Sequence, residues 1–184
     1  MTKLYFILFT LAIGLLAAAP APQLFIAQNG RVDFSSNAPL EIIKASSRRL
    51  TGVIDAEKRT FAFKIPISSF EGFNSALQKE HFNESYLESD KYSEAFFSGK
   101  IIEDVDFTLN GEYQVRAKGK LNIHGVEQER IIKSKIRVHN GKIYVESRFP
   151  VPLSDHNITI PKIVSQKIAT QIEVFVQAAF ERKK

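Results

Sequence analysis

At 184 residues, with 44% hydrophobic side chains, 15 phenylalanines and no tryptophan, the chain is long enough for one domain with a sizeable core. It has no cysteine, which excludes disulfides and any thiolate metal centre. The formal charge is +5, but the basic residues are scattered along strand-like stretches (Lys64, Lys118, Lys120, Lys133, Lys135, Arg137), which describes a solvated face and not a nucleic-acid surface.

The N-terminus reads as a secretory signal peptide over residues 1–19. Lys3 is the only charge there, Leu4–Leu16 is an apolar run too short to span a bilayer, and Ala17, Ala18 and Ala19 supply small residues for cleavage between positions 18 and 21. From Gly30 to Arg182 the signals are those of strands. Val32, Phe34 and Ser36 alternate with polar residues. Leu40–Ala45 and Leu50–Asp55 read as two strands separated by a Ser46-Ser47-Arg48-Arg49 turn. Phe61, Phe63, Ile65 and Ile67 form an apolar face. Leu77–Leu87 breaks the pattern and reads as one short helix, with apolar residues at Leu77, Phe82, Tyr86 and Leu87. Such an insertion in an all-β chain suggests a lid over the end of a barrel.

Strand alternation resumes at Phe97, Gly99 and Ile101. Asn110-Gly111 and Asn140-Gly141 both carry the composition of tight hairpin turns. Between and after them run Tyr113–Ile123, Ile132–Val138 and Ile143–Val151. After a Leu153–Pro161 loop, Ile172, Val174, Val176, Ala178 and Phe180 form the last strand, with Glu173 and Gln177 opposite. Roughly eight strands with one apolar face each fit an up-and-down antiparallel barrel. A two-sheet sandwich has much the same pattern. Small inward residues (Ser36, Ala117, Gly119, Ser134, Ser147, Ala178) fit either a pocket or ordinary taper-filling.

Catalytic signatures are weak. No His pair among His81, His124, His139 and His156 has metal-ligand spacing, so no metal site is expected. Glu80 and Glu84 share a helical face, which is most simply a solvated one. No nucleophile elbow and no glycine-rich phosphate loop is present, so no catalytic residue and no cofactor is expected.

Several blocks in order resemble the YceI-like family of secreted, lipocalin-like proteins. They are Val32-Asp33-Phe34-Ser35-Ser36, Phe61–Ile65, His81-Phe82-Asn83-Glu84-Ser85-Tyr86, Lys91-Tyr92 through Phe97-Ser98-Gly99, Gly119–Val126, and Leu153-Ser154-Asp155 with Ile158 and Pro161. Ser93 departs from the family's usual proline and His156 from its usual tyrosine, the latter a change expected at the head-group end of the pocket. The resemblance implies a lipocalin-like barrel over 30–182, exported to the periplasm, that encloses a polyisoprenoid or quinone-like ligand and performs no chemistry. Phe34, Phe61, Phe63, Val115, Leu121, Ile136, Phe149, Val174 and Val176 would contact the ligand's tail. Phe82, His81 and His124 would form the rim or support it, with the Asp155-His156 loop beside them. Partners implied are the lipid itself and, transiently, a membrane protein, with room for a homodimer and no nucleic acid. An enzyme for a small hydrophobic substrate, or a partner-binding barrel with a filled core, are the competing readings.

Overall fold

The computed structural model describes residues 23–183. The expected signal peptide lies outside the described residues. Eight antiparallel strands close into a barrel in which each strand pairs with its sequence neighbours and the last returns to the first: β1 (Leu24–Asn37), β2 (Ile42–Asp55), β3 (Thr60–Pro66), β4 (Glu94–Ile101), β5 (Gly111–Ile123), β6 (Val126–His139), β7 (Lys142–Pro152) and β8 (Gln171–Arg182). Among the described residues one α-helix, α1 (Ala76–His81), runs on into a π-helical turn over Phe82–Tyr86. The barrel with its short helix agrees with the sequence reading, and ring closure excludes the sandwich that alternation leaves open.

Two strands are longer than their alternation shows, for one reason. In β1 the buried residues are Phe25 and Ala27, then Gly30 and Val32, so the phase slips at Gln28-Asn29. A bulge there, with Asn29 at φ +60, absorbs the extra residue. In β2 the buried positions Ile43, Ala45 and Ser47 slip to Leu50 across Arg48-Arg49. The expected turn at Ser46–Arg49 is instead a second irregularity in one continuous strand, where Gly30 pairs with Leu50 and Val32 with Ser47. Ser47 is buried, and its hydroxyl bonds that of Ser69 at 2.7 Å, so a polar residue occupies an inward position without an unsatisfied group.

The turns divide in the same way. Asn140-Gly141 makes the expected hairpin with φ of +50 and +71. Asn110-Gly111 does not. Residues 102–110 form a longer loop that tucks Val105 and Phe107, 9% and 5% exposed, against the barrel interior. The Asn110 side chain accepts a hydrogen bond from the Asn140 backbone N–H at 2.9 Å, tying this loop to the hairpin beside it. The β5–β6 hairpin turns on His124 and Gly125, at φ +54 and +71.

Gly99 of β4 lies directly opposite Gly119 of β5. A Cβ on Gly99 would stand 2.1 Å from the Lys118 carbonyl oxygen, and one on Gly119 would stand 2.2 Å from that of Ser98. Only glycine allows the strands to come this close.

The β6–β7 ladder is incomplete. β6 and β7 pair only between Ser134–His139 and Lys142–Ser147, whereas each pairs along the rest of its length with its other neighbour. Above Ser147 the two strands part. The Arg130 guanidinium donates to the Pro150 carbonyl across the gap at 2.7 Å, so Pro150 turns the backbone edge that lacks an N–H toward β6. Ile132 and Val151, on the two strands, are both buried and line the cavity.

Candidate functional site: an apolar lumen open at one end

The inward faces do not fill the barrel. A cavity of about 540 Å³ runs up its interior and opens among the β1–β2 turn, α1 and the segment between β7 and β8. At the opposite end the barrel is solid. Phe25, Phe107, Val138, Ile143 and Phe180 are at most 5% exposed, and none of them lines the cavity. The Phe180 ring meets the wall residue Phe63 edge-on at 5.6 Å, which makes these residues the floor.

Eleven of the twelve residues expected to contact or rim a ligand line this cavity. Phe61 and Phe63 stand on β3, Val115 and Leu121 on β5, Ile136 on β6, Phe149 on β7, and Val174 and Val176 on β8, each brought inward by the two-residue period. Phe34, from β1, sits below the opening. Its ring stacks on Phe82 at 5.4 Å and meets Phe70 at 5.4 Å and Phe73 at 5.9 Å. Phe82 thus anchors the helical turn over the barrel, and the four rings form an aromatic collar on the cavity wall. His81, exposed on α1, stands at the rim.

His124 is the exception. It does not line the cavity. Its Nδ1 faces the His156 carbonyl at 3.1 Å and its Nε2 faces the Glu88 carboxylate at 2.5 Å, with Tyr92 edge-on at 4.8 Å between ring centroids. The residue joins the chain after the helical turn to the β7–β8 segment, a positioning role. His156 also departs from expectation. The ring lies behind the wall, fully buried, with Nδ1 against the Val126 carbonyl at 3.1 Å, and not at a head-group end of the pocket.

Burial holds the His156 imidazole below its ordinary value of 6.5, against the opposing pull of the Val126 carbonyl, so the ring is neutral in the folded protein. Near neutral pH the ring is neutral folded or unfolded. Below about 6.5 the unfolded chain takes up a proton that the folded ring resists, so stability falls with acidification, by at most about 1.4 kcal/mol per pH unit. Urea midpoints between about pH 7.5 and pH 5.5 should fall for the wild type and fall less for His156→Tyr. Equal slopes would show that the ring takes no part.

The cavity wall is apolar, with few polar groups placed singly. Ser147 donates to Ser134 at 2.7 Å, where the β6–β7 ladder ends, so the two hydroxyls satisfy each other inside. Ser36 accepts from the Ala169 backbone N–H at 2.9 Å. Charged groups gather at the opening: Glu41, whose carboxylate accepts from the Gln78 amide at 2.7 Å, and Lys167. Burial raises the Tyr86 phenol, which keeps this wall residue neutral. Among the described residues no group of three or more His, Asp and Glu converges as a metal site.

Residues missed in the sequence divide into two kinds. Ile172 continues the β8 alternation and Phe97 that of β4, so their pattern placed them on the inward face with the named residues. Phe73, Val164 and Ile168 come from irregular segments folded over the opening, where no period exists to read.

A family model described as a YceI-like domain matches residues 27–180. No curated protein matches the chain. Among solved structures, a polyisoprenoid binding domain from Saccharophagus degradans, implicated in plant cell wall breakdown, superposes with a TM-score of 0.72 at 15% identity, covering 89% of this chain and 100% of that one. BcnA of Burkholderia cenocepacia gives 0.67 at 13% identity, covering 82% and 95%. A YceI protein of Campylobacter jejuni gives 0.54 at 15% identity, covering 100% and 94%. At these identities the likeness is one of fold.

Proposed function

Because this chain belongs to the YceI-like family, we propose that it is a lipid-binding barrel that takes a long apolar ligand, polyisoprenoid or quinone-like, tail-first into its lumen for carriage or storage. The observation that carries the reading is the hollow itself: an apolar cavity of about 540 Å³ with a solid floor and charged groups at its rim. The name of the Saccharophagus neighbour supports the ligand class. The open lumen favours this reading over a barrel with a filled core. Each buried CH2 of a tail gains about 0.8 kcal/mol, so a few isoprene units offset the cost of ordering and association.

The ligand is bound and released unchanged. The signal-like residues 1–19 support export to the periplasm, where such a ligand needs enclosure to cross water.

Organic extraction of the purified protein followed by mass spectrometry should release a co-purified prenyl lipid. Added polyprenol or quinone should raise the melting temperature of extracted protein. Empty extracts with no shift on adding either compound would refute the proposal.

A further inference from the structure

The opening of the lumen carries a second feature that ligand binding does not use. Ile163 is 91% exposed and Leu40 is 68% exposed, and Ile42 and Leu77 are more than half exposed. These four lie on three elements stitched together at the rim. Leu40 N–H donates to the Gln166 carbonyl at 2.9 Å, the Asn74 amide donates to the Ile42 carbonyl at 3.1 Å, and the Gln78 amide donates to Glu41 at 2.7 Å.

The segment bearing Ile163 is two-sided. Val164 and Ile168 turn into the cavity, and the turn is fixed by Lys167 N–H to the Val164 carbonyl at 2.8 Å and Ile168 N–H to the same carbonyl at 3.1 Å. Ile163 is left exposed beside Lys162, with Lys167 at the cavity mouth one turn on. No acidic residue occurs from His156 to Ile172, and neither lysine is drawn into an ion pair among the described residues. Of the acidic side chains at this end, Glu41 on the rim is engaged by the Gln78 amide, Glu71 is held by Lys79 and Glu88 faces His124, while Glu80 and Glu84 stand exposed on the helical segment, away from residues 156–172 in the chain.

We infer that this rim, led by Ile163 and its flanking lysines, is a docking surface for a bilayer with anionic head groups, which sets the mouth of the lumen against the lipid from which its ligand comes. Apolar side chains enter the interfacial zone while lysines meet lipid phosphates, an arrangement that gives reversible, salt-sensitive attachment. The local charge is what selects this occupant: the segment that bears Ile163 carries two lysines and no acidic residue, which suits anionic head groups. For its purpose the inference rests on the lipid-binding reading, but not for its geometry.

The test is flotation of the purified protein with phosphatidylcholine vesicles, with and without phosphatidylglycerol, at low and high salt. Every variant is compared at the same N-terminus, read by mass spectrometry, so that residues 1–22 contribute equally. Wild type should float with the anionic vesicles and release at high salt. Ile163→Asp should weaken this by about tenfold and Lys162→Glu by severalfold, with circular dichroism and co-purified lipid unchanged. Leu40→Asp should weaken it as well. Equal flotation of wild type and Ile163→Asp, or preference for neutral vesicles, would overturn the inference. If the wild type carries lipid in its lumen but does not float, docking fails and lipid binding stands. If it floats but its lumen never loads, lipid binding fails and docking stands. If Ile163→Asp changes transfer to a membrane protein without changing flotation, the surface is a protein interface and the inference is wrong.

Discussion

Gly99→Ala will destabilise the barrel by about 3 kcal/mol, at the upper end of what overpacking costs, and Gly119→Ala will do the same. The reason is the nature of the atoms in the way. A methyl at Gly99 would meet the Lys118 carbonyl oxygen at 2.1 Å and the Gly119 Cα at 2.5 Å; at Gly119 it would meet the Ser98 carbonyl oxygen at 2.2 Å. These are backbone atoms of a paired ladder, and they cannot rotate aside as a side chain would. The β4–β5 pairing would have to open. The two substitutions should also couple: once the strands have been forced apart by one methyl, the second costs less, so the double variant should be more stable than the sum of the single losses implies. Urea denaturation with the slope held in view would measure this. A loss under about 0.5 kcal/mol, the range of an ordinary surface change, would mean that the strands do not approach as described.

Val176→Trp will empty the lumen of lipid without harming the fold. Val176 lines the cavity at mid-height, between Val32 on β1 and Ser147 on β7, and is only half-buried because its inner side faces free space. An indole there takes the volume of several methylene groups of a tail. At about 0.8 kcal/mol for each CH2, excluding two of them already weakens binding about tenfold. The same ring adds contacts to a wall that has none on its inner side, so the melting temperature should hold or rise. Quantifying co-purified lipid per mole of protein, beside the melting curve, gives both readings. A variant that carries as much lipid as wild type would place the ligand elsewhere. A variant that unfolds would show that the position has no free space in front of it.

What could be read in the sequence follows from where a period exists. β5, β6 and β8 run without a slip of phase, so the two-residue period alone puts Val115, Leu121, Ile136, Val174 and Val176 on the inward face, where they line the cavity. β1 and β2 each slip phase once, at Asn29 and at Arg48-Arg49, and there alternation hid a continuous strand. Turn composition was a good guide at Asn140-Gly141, where the strands end together. It misled at Asn110-Gly111, because the preceding residues carry Phe107 into the floor and need a longer path. His124 illustrates a different limit. Its neighbours suggested a rim, but its positive φ in the β5–β6 turn aims the ring at Glu88 and the His156 backbone, a partnership made across the fold and not along the chain.

The sealed floor fixes the order of events. Among the described residues the lumen has one doorway, so on the proposed function loading and emptying would share that passage, and a supplier of cargo and its recipient would occupy it in succession. A ligand that enters tail-first, as proposed, would leave headgroup-first, so its recipient would meet the polar end before the chain.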